Sequence, residues 1–382
     1  MVSFAAGAVV FFDFLRRFWK LKMRRILVIS IFLILLVFGV SVFIATQRLT
    51  ITSDSAAVNP PLNPAKAWEF RGICLQLRLH GTSDYPFEKK IDEIAHTGAN
   101  TLCLVLHGYQ TDVHASEIVP DPKYTPNAKR LVEIIRYAKK QKLKVMVMPI
   151  VLLRHREGDD WRGTIKPPNW DEWWKSYRKF IFDCAGIAEQ GGAEIFSVGS
   201  ELVSTEEQTE QWTLLIDAVR KIFRGHLIYS ANWDHYKPPK FWNLLDIVGI
   251  TTYFEVATDD DSSKKQMLGA WSKIKEDILE WQKTVGRPIM FTEVGFPNQV
   301  TAARYPWNYY ASPLKPAPEL QSKCFEAFFD TWKNESAVAG FLIWEWPNRD
   351  MKAEQLAPDK DTSYYPCGKP AMKIIEKQFL SR

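Results

Sequence analysis

The sequence predicts an eight-unit α/β barrel behind one amino-terminal membrane-spanning segment. Three observations predict it. From Glu69 onward, eight short apolar runs alternate with amphipathic stretches. The runs are continuously apolar, as parallel strands covered on both faces require. No GxGxxG or GxxxxGK[ST] loop follows an early run, which weighs against nucleotide binding and against a doubly wound open sheet. Eight strand–helix units in order specify a (β/α)8, or TIM, barrel.

The expected strands are residues 70–78, 101–109, 144–153, 194–202, 227–234, 247–254, 288–296 and 339–347. Between them, residues 86–96, 127–142, 171–189, 205–223, 264–284 and 319–333 repeat apolar side chains at three- and four-residue steps, the period of a one-sided helix. Ser204 and Glu207 have the spacing of a capping box after the fourth strand. Residues 238–245 make a shorter fifth crossover, and 368–379 close the chain as an eighth helix. A barrel of this kind takes about 250 residues or more as one domain. The 382-residue chain is therefore expected to hold one catalytic-sized domain, 68–382, rather than several.

The net charge of +5 resides at the amino terminus. Residues 1–45 carry Arg16, Arg17, Lys20, Lys22, Arg24 and Arg25 against Asp13, so the remainder is neutral. A neutral body has no overall field to hold a polyanion, and no nucleic-acid partner is expected. The five cysteines, Cys74, Cys103, Cys184, Cys324 and Cys367, lack metal-ligand spacing. Cys74 and Cys103 fall on neighbouring strands, where a disulfide would be feasible. No catalytic metal or other cofactor is expected. The 15 Trp and 13 Tyr exceed what packing needs, so some are expected at a contact surface.

Residues 26–45 form an uncharged apolar run long enough to cross a bilayer. Basic residues crowd its amino side, which places residues 1–25 in the cytoplasm and the barrel outside. A cleaved signal peptide is the rival. Met23 also makes a natural start, and 46–67 reads as a linker. The expected product is a membrane-anchored monomer, secreted if the apolar segment is removed.

In such barrels the chemistry sits at the carboxyl ends of the strands. Two of those ends carry a glutamate against the hydrophobic pattern, Glu201 after Ile195-Phe-Ser-Val-Gly-Ser200 and Glu293 in Pro288-Ile-Met-Phe-Thr-Glu293-Val-Gly-Phe296. Paired carboxylates on facing strands are the machinery of glycosidic-bond hydrolysis. Around them the other ends supply Arg78, His107, Arg154, Ser200, Asn232, Tyr253, Trp344 and Trp346. Aromatic faces stack on sugar rings, and hydroxyls need paired donors and acceptors. Arg78, Arg154, His107 and His155 serve equally as scaffold ion pairs. Only one of Trp344 and Trp346 is expected to face the site, and Glu345 reads as structural. Two long insertions, 154–170 with Trp161 and 298–318 with Trp307, are expected to wall the cleft.

These segments resemble clan A retaining glycoside hydrolases, and more narrowly family 113, whose barrels are of the β-mannanase type. The resemblance covers about 68–380. It is carried by Phe70-Arg-Gly-Ile73, Asp160-Trp-Arg-Gly163, Trp173-Trp-Lys-Ser-Tyr177, Val198-Gly-Ser-Glu201-Leu202, Ile250-Thr-Thr-Tyr253, Phe291-Thr-Glu293-Val-Gly-Phe296 and Ile343-Trp-Glu-Trp346. It implies Glu201 as acid/base, Glu293 as nucleophile, Tyr253 orienting the nucleophile and a strand-eight tryptophan as platform under the sugar. Ser200 stands where clan members commonly carry asparagine, and the clan's strand-two arginine has no clear match. The implied substrate is an oligo- or polysaccharide, chiefly with β-1,4-mannose linkages. Other readings keep the mechanism on another cell-surface or plant β-glycan, or make the barrel a non-catalytic glycan binder.

Overall fold

The computed structural model describes residues 68–80, 85–260, 263–310 and 315–381. The expected cytoplasmic segment, apolar run and linker, 1–67, lie outside them. Among the described residues no helix is long and apolar enough to cross a membrane.

Eight strands close in chain order into a parallel barrel: β1 (Phe70–Gln76), β2 (Thr101–Gln110), β3 (Lys144–Leu153), β4 (Ile195–Ser200), β5 (His226–Ala231), β6 (Ile247–Thr251), β7 (Ile289–Val294) and β8 (Val338–Trp346). The β1–β8 ladder completes the circle. The helices are α1 (Phe87–His96), α2 (Ala128–Lys140), α3 (Trp170–Gly191), α4 (Thr209–Arg220), α5 (Lys264–Val285), α6 (Pro318–Trp332) and α7 (Pro370–Leu380). The crossover from β5 to β6 holds only a 3-10 turn, Trp242–Leu244.

The strands divide the apolar residues between two cores. On β2 and β3, Cys103, Val105, Met146, Met148 and Ile150 fill the barrel, while Leu102, Leu104, Val145 and Val147 pack outward under the helices. Alternation across the pleat makes both faces apolar, which explains the unbroken runs. Cys74 and Cys103 are in register on β1 and β2 inside the barrel, and both are free thiols. Small residues let the strands close. A Cβ on Gly340 would stand 2.2 Å from the Phe70 carbonyl oxygen.

Helix ends follow local chemistry. The side chains of Asn127 and Asn169 cap α2 and α3, and Ser263 with Gln266 forms a capping box on α5. Gly192 and Gly286 end α3 and α5 with left-handed backbones. The box expected at Ser204 and Glu207 does not form. Residues Val203–Thr205 make a 3-10 turn, and α4 starts only at Thr209. The cause is the neighbouring Glu206, drawn inward onto the Tyr229 hydroxyl at 2.7 Å. Thr205 closes the turn by donating to the Leu202 carbonyl at 2.7 Å. Several strands stop two or three residues before their apolar runs do, because the chain leaves the ladder to build the mouth.

Most of the aromatic wealth is packing, not contact surface. Trp173, Trp174, Tyr177, Trp212, Tyr229 and Phe241 form one buried ring network under the β4 and β5 ends.

Gly340→Ala is expected to lower unfolding free energy by about 1–3 kcal/mol, the usual cost of forcing extra volume into a closed site. Denaturant unfolding measures it.

Candidate active site

Glu201 lies one residue beyond β4 with φ of 53°, a left-handed conformation that non-glycine residues adopt at a cost. Two bonds from β5 hold it there. The Glu201 amide donates to the Ser230 carbonyl at 2.8 Å. The Leu202 amide donates to the Tyr229 hydroxyl at 2.9 Å. Tyr229 in turn donates to Glu206, whose second oxygen has no partner. Tyr177 braces β4 from outside by donating to the Val198 carbonyl at 2.8 Å.

Glu293 sits within β7, where the pairing slips against both β6 and β8. Such irregularities re-aim side chains at active sites. The Tyr253 hydroxyl donates to Glu293 Oε2 at 2.6 Å. Glu293 Oε1 is buried with no protein partner. Burial, and then the Glu201 charge, push the Glu293 carboxyl well above the usual carboxylate range, so the two carboxyls share one electrostatic environment.

Glu201 has a cationic partner that sequence reasoning left out, Arg162, on a 3-10 turn (Arg162–Thr164) in the insertion after β3. The pair is largely enclosed, with Glu201 at 6% and Arg162 at 20% side-chain exposure. The turn is set by Gly163, where a Cβ would meet the Trp161 ring at 2.2 Å. Asp160-Trp-Arg-Gly163 was the available signal; it counted toward the family resemblance and for Trp161, but not for its arginine.

A cavity of about 330 Å³ opens against Arg162, with Arg78, Tyr109, Tyr124, Val151, Leu152, Leu153, Arg154, Arg156 and Trp161 as its other walls and neither Glu201 nor Glu293 among them. Arg78 lies over the Tyr124 ring and Arg154 over Tyr109. His107 continues the inward face of β2 and is fully enclosed. Burial, then the Arg78 and Arg162 charges, hold its pKa down to about 3, so it is neutral.

The remaining candidates separate. Ser200, beside Glu201, is buried with an unpartnered hydroxyl. Asn232 follows β5 and donates to Asp234 at 2.6 Å. Trp344 packs half-buried at the end of the inner core. Trp346 belongs to the outer core, its indole donating to Glu93 at 2.9 Å. The peptide between Trp344 and Glu345 is cis. Glu345 is enclosed and accepts from Gln76 at 2.5 Å. Trp307 is exposed in the segment after β7, beside Tyr305. Tyr364 also borders the site, with its ring 5.9 Å from that of Tyr253. Among the described residues no group of three or more His, Cys, Asp or Glu converges to hold a metal ion.

A barrel that gathers two enclosed glutamates from β4 and β7, one under a tyrosine hydroxyl, has the form of a glycoside hydrolase. The model of Glycoside Hydrolase Family 113 matches residues 83–369, and the chain belongs to that family. Its fold is similar to that of a family 113 β-1,4-mannanase solved as a complex, with 25% identity and a TM-score of 0.73 over 82% of this chain and 99% of that one. It is likewise similar to the family 113 β-mannanase of Alicyclobacillus acidocaldarius solved with ManMIm, with 24% identity and a TM-score of 0.74 over 83% and 99%. A β-glucuronidase of Faecalibacterium prausnitzii shares the fold at 13% identity and a TM-score of 0.55, over 82% of this chain and 49% of that one. No curated protein matches the chain in sequence.

Three enclosed carboxyls take protons above the usual range: Glu206 at about 8 through burial, Glu345 at about 7 through burial, and Glu293 as described. Between about pH 4.5 and 8 these three groups bind more protons in the folded state than in the unfolded one, so their contribution to stability falls as pH rises, with the lowered His107 and His226 opposing it below about pH 6.5. The melting temperature is expected to drop from pH 5 to pH 8, by about 2–4 °C per kcal/mol lost. Glu206→Gln, which keeps an acceptor for Tyr229, should flatten that drop in calorimetric scans.

Proposed function

We propose that the protein is a retaining hydrolase of β-linked glycan, of the β-1,4-mannan type, working by double displacement. The observation that carries this reading is the asymmetry at Glu293. One oxygen is occupied by the Tyr253 hydroxyl and the other, Oε1, is unpartnered. In this reading the unpartnered Oε1 attacks the anomeric carbon as the glycosidic C–O bond breaks. Glu201 gives its proton to the departing oxygen. In the second half-reaction the Glu201 carboxylate takes a proton from water, the water oxygen attacks the same carbon, and the bond to Glu293 breaks.

Arg162 pairs with Glu201, while burial and the Glu201 charge favour a proton on Glu293 against the Arg162 charge. Catalysis needs that proton on Glu201.

The mannan assignment is supported by family membership and by the fold shared with β-mannanases. The chain is to be assayed on mannan, glucomannan, xylan, β-glucan and chitosan. Mannan cleavage is expected, lowered roughly 10²–10⁴-fold by Glu201→Ala and abolished by Glu293→Ala. Cleavage of another glycan, lost in the same variants, would keep the mechanism and discard mannan. Release of the inverted anomer, read by NMR of fresh product, would exclude double displacement.

The uncharged run at 26–45, with basic residues before it, supports a membrane tether that holds the barrel outside the cytoplasm. Barrel fragments released by protease added to intact cells are expected; complete protection until lysis would place the barrel inside.

A further inference from the structure

We infer that the cavity beside Glu201 is a subsite for an acidic sugar, so that the glycan cleaved carries a uronate next to the scissile bond. This rests on the glycan-hydrolase reading above and deepens it. The argument is one of uncompensated charge. Four guanidinium groups line the cavity, and none of its ten lining residues is acidic. Arg162 is engaged with Glu201, and Arg154 with Asp121 at 2.7 Å. Arg156 donates from Nε to the Asp160 carbonyl at 2.8 Å, and Arg78 lies over the Tyr124 ring. Among the described residues neither Arg78 nor Arg156, both exposed to solvent, has a carboxylate partner. The Tyr109 hydroxyl and Arg162 Nε, on two lining residues, are buried without any partner.

A neutral mannose ring offers hydroxyls, which do not match in charge the two exposed guanidinium forks on the cavity wall. A carboxylate does, because its two oxygens match the planar fork of a guanidinium. The walls suit a sugar as well as its charge: Tyr109, Tyr124 and Trp161 present aromatic faces, and a cavity of about 330 Å³ is of ligand size. The position fixes where the acid falls. Arg162 lines the cavity and pairs with Glu201, so the acidic unit lies on the β1–β3 side, adjacent to the bond being cleaved. Phosphate would satisfy the same forks, and the probes below separate the two.

The test is calorimetric binding to the full-length chain carrying Glu293→Gln. Three matched hexamers serve as probes: β-1,4-mannose, β-1,4-mannuronate, and β-1,4-mannose phosphorylated at C6. The mannuronate hexamer is expected to bind roughly tenfold or more tightly than the neutral one at low salt, as hydrogen bonds to charged partners warrant. That advantage should shrink with added salt and vanish when Arg78→Gln and Arg156→Gln are introduced together. Arg78→Lys with Arg156→Lys, which keeps the charge, should restore part of it. Equal or weaker binding of mannuronate overturns the subsite, as does an advantage that survives the paired Gln variant. Tightest binding by the phosphorylated hexamer overturns the uronate assignment. Mannohexaose hydrolysis by the unmodified chain tests the parent reading separately. Cleavage without acidic preference removes the subsite alone, and acidic preference without cleavage removes the mannan substrate alone.

Discussion

The backbone of Glu201 is tied to β5 on both sides, and the rest of the site depends on that tie. A glutamate in a left-handed conformation is held against its local preference. The Ser230 carbonyl fixes the amide before it and the Tyr229 hydroxyl fixes the amide after it. Tyr229 is positioned by the enclosed Glu206 and by a continuous set of rings from α3, α4 and the crossover to β6. The direction of one carboxylate is thus set by packing that begins on the outer layer of the barrel. This gives the buried tryptophans a role beyond bulk: they make the β4–β5 junction rigid enough to hold a disfavoured backbone angle.

The second constraint is charge confined where water is scarce. Glu201, Glu293, Glu206 and Glu345 are all enclosed, and of the four Glu201 alone is ion-paired, with Arg162. Enclosure costs stability near neutral pH, but it also strengthens every remaining electrostatic interaction in the site. Glu201 and Glu293 are therefore governed by a small number of neighbours: Tyr253 on Glu293, Arg162 paired with Glu201 and acting on Glu293 as well, and the Glu201 charge on Glu293.

The barrel was legible in the sequence because its signal is collective. Eight apolar runs in one order leave few topologies, and β3 falls at the residues its run marks, Lys144–Leu153. Strand ends were less legible, since apolar residues continue past the ladder into the mouth. The segment after β4 was misread for a stated physical reason: a good capping pattern at Ser204 and Glu207 lost to the burial of Glu206, a tertiary bond invisible to local spacing. Glu201 and Glu293 stood out because each breaks an apolar pattern. Arg162 did not, since an arginine in a polar insertion breaks nothing. Trp344 and Trp346 were separable only by structure, which turns one toward the inner core and ties the other to Glu93 on α1.

Arg162 is shared between a carboxylate and a cavity, and sharing has a thermodynamic consequence. It cannot serve both fully at once. Whatever draws it toward the cavity weakens the charge that opposes a proton on Glu293, and by reciprocity proton uptake at Glu293 favours whatever binds in the cavity. Occupancy of the cavity and titration of Glu293 are then two views of one equilibrium. The enzyme's acidity profile becomes a property of the chain it is holding as well as of its own fold.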